Sequence, residues 1–337
     1  MKKEQLEYAA ARYGTPLYIF DLDILKKQTD RLRKALGKET GLCYAMKANP
    51  FLTEQMAEQA DRIEVCSMGE FEICRSLGIP PEKLFISGVL KKKEDMYRIL
   101  EIYGEKCRYT VESVRQLHYF LEWSDTHMKT LRLYPRLTNG SQFGMDEETM
   151  RSIVSIVNMS PYLEIEGIHY FSGTQKRHIR QFRQELQMLD RFLQKIRDEW
   201  NVEIRHLEYG PGTAVPYFIG KEAETYTDDG LGELKEAIRS MEWNGNVTIE
   251  LGRAFAAECG YYLTEIRDVK KNGDTQYCIV DGGNHQINYD GQIRGMYHPG
   301  IQIIPGEDRG TKKKWTVCGS LCTMNDVLCS DVELADV

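Results

Sequence analysis

The stretch Gly41-Leu42-Cys43-Tyr44-Ala45-Met46-Lys47-Ala48-Asn49-Pro50 places a lysine directly after a short apolar run. The run Gly41–Ala45 is typical of a buried strand, so Lys47 is predicted to lie where that strand ends. Partial burial disfavours the charged ammonium and lowers the pKa of the amine, which suits a lysine that forms an imine. Because most lysines are solvated surface residues, this interpretation depends on the rest of the chain.

Seven further β-rich runs follow the first, most of them separated by stretches with helical periodicity. They are Ile63–Cys66, Leu84–Ser87, Arg108–Val111, Leu131–Leu137, Leu163–His169, Ile204–Glu208 and Val247–Leu251. Eight such units predict a (β/α)₈ barrel, the TIM-barrel fold of the α/β class. A doubly wound open sheet is the alternative, but it usually carries a glycine-rich turn where this chain has Met46-Lys47-Ala48.

The sequence changes character after Gly260. Strand-like runs with glycine and asparagine turns replace the long helical patterns, which predicts a mostly β domain over residues 261–337. Residues 1–20 are expected to contribute an N-terminal strand to that domain, because Tyr13–Phe20 is strand-like. The barrel is then predicted to span residues 21–260.

Composition indicates which partners and which cellular compartment are compatible with the chain. The chain has 337 residues and a net charge of −7, which argues against nucleic acid as the main partner. An odd number of irregularly spaced cysteines, nine in all, indicates reduced thiols and a cytoplasmic location. Cys318 and Cys322 lack a second ligand pair, so no metal site is predicted. No apolar run is long enough for a membrane span, and the two lysine triplets, residues 91–93 and 312–314, are interpreted as solvated loops.

The distinctive residues all fall at the predicted carboxyl ends of strands, where barrels carry their chemistry. Gly173-Thr174-Gln175 follows the sixth strand, and Gly210-Pro211-Gly212 follows the seventh. Glycines allow the backbone amides to approach an anion such as phosphate, although a motif of this kind taken alone is more often a simple tight turn. Thr174 could add a hydroxyl to that anion or cap a helix.

Glu250, at the end of the eighth strand, has a more specific interpretation. A carboxylate opposite a pyridine ring keeps the ring nitrogen protonated and makes the ring a strong electron acceptor. His169 could contact the same ring or be a core histidine. A lysine for an imine, a glycine turn for a phosphate and a carboxylate for a ring nitrogen together indicate pyridoxal 5'-phosphate.

With these motifs the chain resembles the alanine-racemase-like, fold-type-III pyridoxal phosphate enzymes, and within them the diaminopimelate and ornithine decarboxylases. The resemblance covers nearly the whole chain in order. It rests on residues 44–49, 66–70, 167–175, 210–217, 250–253, 281–283 and 318–326.

The resemblance implies a role for each site residue. Lys47 holds the cofactor as an imine, and Cys322 reaches the site of a partner subunit in a head-to-tail homodimer and protonates the carbanion. The residues expected to bind the cofactor are Lys47, His169, Phe171, Thr174, Gly210, Gly212, Glu250, Gly252 and Arg253. The residues expected near the substrate are Arg136, Thr323 and Asp326.

Departures from the family pattern bear on the substrate. Phe171 stands where the family stacks a histidine on the cofactor ring, and it can stack but cannot donate a hydrogen bond. Thr323 stands where the family has an acid that binds the distal amino group of the substrate. Asn284-His285 follows the Asp-Gly-Gly turn, where the diaminopimelate members have an arginine and a tyrosine. A substrate with a cationic far end therefore loses its usual partners, so we expect an amino acid or an aminoacyl group on a carrier protein.

The chain ends at Val337, soon after Cys322, whereas the family continues to a Gly-Ala-Tyr segment that touches cofactor and substrate. The β domain is therefore expected to be partial, to be completed by another polypeptide, or to belong to an inactive protein. Three alternatives to a decarboxylase of an amino acid or carrier-linked aminoacyl group remain: a diaminopimelate decarboxylase proper, an amino-acid racemase, and a non-catalytic relative that binds the cofactor. Glu250 and Cys322 argue against the racemase, since racemases of this fold type usually place an arginine at the ring nitrogen and use a tyrosine of the second subunit as a base.

Overall fold

The computed structural model describes residues 1–289, 291–292, 294–304, 311–335 and 337. The chain divides into two compact units. The barrel unit comprises residues Leu25–Val215 and Ala223–Ala257, and the β unit comprises Met1–Ile24, Pro216–Glu222 and Glu258–Val337. The chain begins in the β unit with helix α1 (Lys3–Tyr13) and strand β1 (Leu17–Phe20).

A nine-stranded parallel sheet forms the centre of the barrel unit. Its spatial order is β7-β6-β5-β4-β3-β2-β10-β9-β8. The strands are β2 (Gly41–Ala45), β3 (Arg62–Val65), β4 (Leu84–Ile86), β5 (Arg108–Val111), β6 (Leu131–Pro135), β7 (Leu163–Ile165), β8 (Gly167–Phe171), β9 (His206–Gly210) and β10 (Asn246–Leu251).

The sheet closes on itself through β6. The first part of β6 pairs with β7, and beyond its end Arg136 bridges His169 of β8, with Leu137 N donating to His169 O at 2.9 Å. The predicted (β/α)₈ barrel is therefore confirmed. The prediction of one strand over Leu163–His169 was wrong, because the chain breaks at Glu166, whose amide donates to Leu133 O instead.

Helices connect most of the successive strands and cover the outside of the barrel. They are α2 (Leu22–Leu36), α3 (Thr53–Gln59), α4 (Met68–Ser76), α5 (Lys93–Tyr103), α6 (Val114–His127), α7 (Glu147–Met159), α8 (Ile179–Trp200), α9 (Asp228–Arg239) and α10 (Arg253–Ala256). Ser67 and Ser113 cap α4 and α6 with their hydroxyls, and Asp146 caps α7 with its carboxylate. These caps satisfy amides that helices leave unbonded at their first turn.

The β unit contains two small sheets. β1 pairs antiparallel with β11 (Gly260–Leu263), and a second sheet has the order β12-β13-β14-β15. Its strands are β12 (Ile266–Asn272), β13 (Thr275–Val280), β14 (Lys313–Cys318) and β15 (Val327–Leu334). Trp315, Val317, Cys278 and Val280 form the centre of its apolar core. The expected mostly β domain is confirmed, although the sequence did not indicate β15.

Among the described helices of either unit, none combines the length and the apolar character that a bilayer crossing requires.

Candidate active site

Lys47 lies in a short 3₁₀ turn, Met46–Ala48, directly after β2. Its Nζ donates to Oε2 of Glu64 at 2.6 Å and lies 3.7 Å from Sγ of Cys66. The same nitrogen lies 5.8 Å from the centre of the Phe171 ring. The side chain is 48% exposed, so the amine is both held by a buried carboxylate and accessible from the end of the barrel.

The predicted lowering of the Lys47 pKa was wrong. Burial does disfavour the ammonium, but the charges of Glu64, Cys66 and Glu250 outweigh it, and the pKa of Lys47 is raised above its ordinary value. Burial raises the pKa of the Glu64 carboxyl, but the charges of Lys47 and His169 outweigh this effect and lower the pKa to about 2. In the absence of a bound carbonyl compound, Lys47 is therefore a charged ammonium paired with Glu64.

Glu250 is buried at the end of β10, opposite a histidine. Nε2 of His169 lies 3.2 Å from each carboxylate oxygen, with its hydrogen bond to Oε2. His169 is fully buried and packs edge-on against Phe85 at 5.5 Å. Neither Nδ1 of His169 nor Oε1 of Glu250 has a hydrogen-bond partner among the described residues. Glu250 therefore has a carboxylate oxygen available for a further donor.

Gly210 lies between Phe171 and Glu250. A Cβ atom at this position would lie 2.4 Å from Cδ2 of Phe171 and 3.2 Å from Oε2 of Glu250. The absence of a side chain at Gly210 thus allows the aromatic ring and the carboxylate to approach each other at the end of the barrel.

At Gly212 and Gly252, neighbouring segments approach the chain so closely that a side chain would not fit. Gly212 has a φ of +66°, and its Cβ would lie 2.0 Å from the carbonyl oxygen of Gly173. At Gly252 a Cβ would lie 2.8 Å from Cβ of Ala48. Gly212 therefore allows the loop after β9 to approach the loop after β8, and Gly252 allows the loop after β10 to approach the Lys47 turn.

Thr174 and Arg253 form the polar part of this loop cluster. A guanidinium nitrogen of Arg253 donates to Oγ1 of Thr174 at 2.7 Å. Both residues follow strand ends, at β8 and β10 respectively. An arginine and a hydroxyl beside glycine-rich loops are donors suited to a phosphate group.

Gln175 joins two of these loops, which the sequence alone did not indicate. Its side-chain Oε1 accepts from the amide of Val215 at 2.7 Å, and its Nε2 donates to the carbonyl of Val215 at 3.3 Å. Gln175 has a φ of +53°, a conformation unusual outside glycine. The side-chain amide thus ties the loop that carries Thr174 to the loop that carries Gly212.

A layer of polar side chains inside the barrel was also missed by the sequence reasoning. Arg62 of β3 forms a buried ion pair with Glu208 of β9. One ligand atom from each of Cys43, Glu208 and Glu250 lies within 4.8 Å of the others. Burial raises the pKa of Glu208, with Arg62 opposing the rise and Glu250 adding to it. The alternation Arg62-Ile63-Glu64, which begins one residue before the predicted strand Ile63–Cys66, is the signal that could have revealed polar residues on the interior face.

Two further buried cations lie near the carboxyl ends of the strands. The predicted substrate residue Arg136 is buried and pairs with Glu112 at 3.1 Å, and its guanidinium lies 6.0 Å from the Phe171 ring. Lys91 is buried as well, and its Nζ donates to Gly88 O at 2.6 Å and Thr110 Oγ1 at 2.9 Å. Burial lowers the pKa of Lys91 to about 8. The interpretation of residues 91–93 as a solvated loop was therefore wrong for Lys91, whereas Lys92 is exposed and Lys93 begins α5. Lys313 and Lys314 of the other triplet are exposed but lie in β14 rather than in a loop.

The remaining predicted site residues belong to the β unit. Cys322 and Thr323 are exposed in the segment 321–325. Asp326 is buried, and its carboxylate accepts from the amides of Asn284 at 2.6 Å and Leu321 at 2.7 Å. These bonds fix both ends of the exposed segment, and contact between Asp326 and a substrate remains a prediction.

The barrel residues fit pyridoxal phosphate. Lys47 supplies the amine, Oε1 of Glu250 is a buried acceptor without a partner in the described chain, and Phe171 offers a ring face beside Lys47. Thr174 and Arg253 provide phosphate donors next to backbone that only glycine allows at Gly212. The set thus contains a partner for each end of the cofactor.

Comparison with known proteins identifies the class. The pyridoxal binding domain of the pyridoxal-dependent decarboxylases matches residues 22–257, and the chain belongs to this family. The cofactor of this chain is pyridoxal phosphate. The chain is a pyridoxal-phosphate-dependent decarboxylase of the diaminopimelate and ornithine branch. The residues that perform the catalysis are not assigned by this match.

Individual relatives are similar over almost the whole chain. The diaminopimelate decarboxylase of Aquifex aeolicus is 26% identical, covering 98% of this chain and 81% of the relative. An L-glutamyl-BtrI acyl-carrier-protein decarboxylase of Niallia circulans is 28% identical, covering 99% and 84%. The lysine/ornithine decarboxylase of Vibrio vulnificus, solved with cadaverine, superimposes with a TM-score of 0.85 at 19% identity, covering 99% and 87%. That last similarity concerns the fold alone.

Proposed function

We propose that the decarboxylation takes place at the carboxyl end of the barrel, with Lys47 as the covalent attachment point of the cofactor and Glu250 at its ring nitrogen. Bound pyridoxal phosphate supplies a ring that accepts the electrons left when CO₂ departs. The observation that carries the proposal is that the Phe171 ring has the Lys47 amine 5.8 Å from its centre and is separated from the Glu250 carboxylate only by Gly210, which has no side chain. Thr174, Gly212, Gly252 and Arg253 then bind the phosphate.

Residues of the chain hold and deliver the protons that the reaction needs. Glu64 holds a proton on Nζ of Lys47 until the amine is needed, since the ion pair favours the ammonium. Glu250 holds a proton at the ring nitrogen, and Phe171 covers one ring face. Cys322 of a partner subunit delivers the proton that replaces CO₂. This assignment requires a homodimer in which the sites are shared.

Mixing two inactive variants tests the shared site. Lys47→Ala removes the attachment point and Cys322→Ala removes the proton donor, so each homodimer is expected to be impaired. A mixed dimer contains one site with both native residues and is expected to recover activity. If mixing restores no activity while the subunits exchange, the assignment of Cys322 to the partner's site is wrong.

The substrate is proposed to be an amino acid without a free cation at its far end, in particular an aminoacyl group carried by an acyl-carrier protein. Thr323, which cannot form an ion pair, stands where the family has an acid, and this supports the proposal. The similarity to the L-glutamyl carrier-protein decarboxylase supports it as well. The second candidate is diaminopimelate itself, favoured by the Aquifex relative.

A CO₂-release assay separates these two candidates. The cofactor-loaded protein is offered L-glutamyl carrier protein, free glutamate, diaminopimelate, lysine and ornithine. Fastest release from the carrier-linked substrate supports the proposal, whereas fastest release from diaminopimelate favours the second candidate. Thr323→Asp is the matched variant, and it is expected to gain activity on the cationic substrates because it restores a carboxylate. Met324→Ala, at a neighbouring exposed residue, is the control.

The cytoplasm is the proposed location. Cys43, Cys66 and Cys74 are thiols rather than disulfides, which agrees with a reducing compartment. A negatively charged chain also agrees with small-molecule or carrier-protein substrates rather than nucleic acid.

A further inference from the structure

The polar layer beneath Glu250 is unusual for a barrel interior. Such interiors are generally filled by branched aliphatic side chains. Here Cys43 of β2 lies in register with Glu250 of β10 on one side and with Arg62 of β3 on the other. Residues in register share a face of the sheet, so Arg62, Cys43 and Glu250 form one row inside the barrel.

Glu208 completes this layer from β9. It is fully buried, and a guanidinium nitrogen of Arg62 donates to its Oε2. Its carboxylate also lies within 4.8 Å of a Glu250 oxygen and of the Cys43 thiol. Buried ion pairs are costly and add little stability over apolar residues of the same volume, so a pair placed directly beside Glu250 requires another explanation.

Arg62 has only a few carboxylates that it could bind. Glu64, which shares its strand and its face, is already paired with Lys47. Glu250 lies two strand spacings away, about 10 Å between backbones, which an extended arginine side chain largely spans. Oε1 of Glu250 accepts no hydrogen bond from the described residues. If Glu208 were absent, Glu250 would therefore be the acceptor available to Arg62.

We propose that Glu208 is a positioning residue that keeps Arg62 away from Glu250. In this arrangement Glu208 satisfies the guanidinium, and Glu250 stays available to the ring nitrogen of the cofactor. The inference rests on the function proposed above, because it presumes that Glu250 binds that nitrogen. A purely structural ion pair would instead affect folding without any specific effect on the cofactor.

Cofactor affinity in four variants distinguishes these explanations. Glu208→Leu frees Arg62 and is expected to weaken pyridoxal phosphate binding by at least about tenfold. Adding Arg62→Met removes the competing cation, and the double variant is expected to return to within about threefold of the native affinity. Glu250→Gln tests the proposed function separately. Glu166→Leu, which leaves Arg108 and His206 without a carboxylate partner but keeps the Arg62–Glu208 pair, is the control for a generally weakened fold.

The rescue by Arg62→Met decides the inference. Native-like affinity in Glu208→Leu, or a double variant as weak as Glu208→Leu, would overturn it. If Glu250→Gln weakens cofactor binding while Glu208→Leu does not, only the inference about Glu208 fails. If Glu250→Gln binds the cofactor normally, the proposed role of Glu250 fails as well. If Glu208→Leu does not fold, Glu208→Gln takes its place. The neutral amide binds the guanidinium more weakly than a carboxylate does, so we expect a smaller loss of affinity that Arg62→Met reverses, and no loss or no reversal would overturn the inference.

Discussion

Nζ of Lys47 lies 2.6 Å from Oε2 of Glu64, whose side chain is only 2% exposed. The two residues end neighbouring strands, β2 and β3, and the ion pair sets the protonation of both. The ion pair thus keeps the lysine charged, whereas its proposed role as the attachment point of the cofactor requires a neutral amine. The proton must leave Nζ before the cofactor can be bound covalently.

Replacing Glu64 should make covalent capture of the cofactor easier at low pH. Glu64→Gln removes the carboxylate that raises the pKa of Lys47, so more of the amine is neutral at a given pH. We expect the pH profile of capture to move down by at least about one unit, or tenfold in rate near neutrality. The measurement is the growth of the visible absorbance band after mixing. Glu58→Gln, an exposed carboxylate in α3, should leave the profile unchanged, and an unchanged profile in Glu64→Gln would contradict the account.

The same pair predicts how stability depends on pH. The folded chain lowers the pKa of Glu64 from 4.5 to about 2. Its ionised form therefore stabilises the fold above about pH 4.5, and this contribution is lost as the pH falls toward 2. The free energy of unfolding in urea should exceed that of Glu64→Gln by about 3 kcal/mol at pH 6. The difference should narrow below about pH 4.5, and a constant difference across that range would show that Glu64 is not stabilised as an anion.

Gly210→Ala should weaken cofactor binding. The added Cβ would lie 2.4 Å from Phe171 and 3.2 Å from Glu250, so the ring and the carboxylate must separate. We expect a loss of at least about tenfold in affinity for pyridoxal phosphate, equivalent to about 1.4 kcal/mol. Gly232→Ala in α9, where no atom lies within 4 Å of the new Cβ, is the control and should bind normally. Equal affinity in the two variants would contradict the placement of the cofactor ring.

Gln175→Gly should loosen the phosphate loops without adding backbone strain. Glycine accepts the positive φ of this residue, but it loses both hydrogen bonds to Val215. Each such bond contributes about 1 kcal/mol, so cofactor affinity should fall about tenfold. Gln175→Asn tests whether a shorter amide can substitute. Cofactor affinity is measured by fluorescence titration. An unchanged affinity in the glycine variant would show that Gln175 does not contribute to cofactor binding.

The sequence predicted the parts of the site that follow from local pattern. Short apolar runs followed by Lys47, Thr174, Gly212 and Glu250 marked the strand ends, because strand period and glycine placement are local features. The position of Lys47 after β2 was predicted within the correct strand bounds.

Features that depend on pairing across the barrel could not be predicted. Arg62 and Glu208 are 146 residues apart in sequence, and nothing in either strand identifies the other as its partner. The direction of the Lys47 pKa shift was wrong for the same reason, since burial was visible in the sequence and the Glu64 partner was not. The break at Glu166 likewise depends on its hydrogen bond to the neighbouring strand.

Reduction of the cofactor-loaded protein with borohydride, followed by peptide mass mapping, tests the central assignment most directly. The treatment makes the bond between cofactor and lysine permanent, so the modified residue can be identified. The account predicts that the label lies on the peptide containing Lys47 and is absent from Lys47→Ala. A label on Lys91, a buried lysine near the strand ends, or no label on the native chain would contradict it.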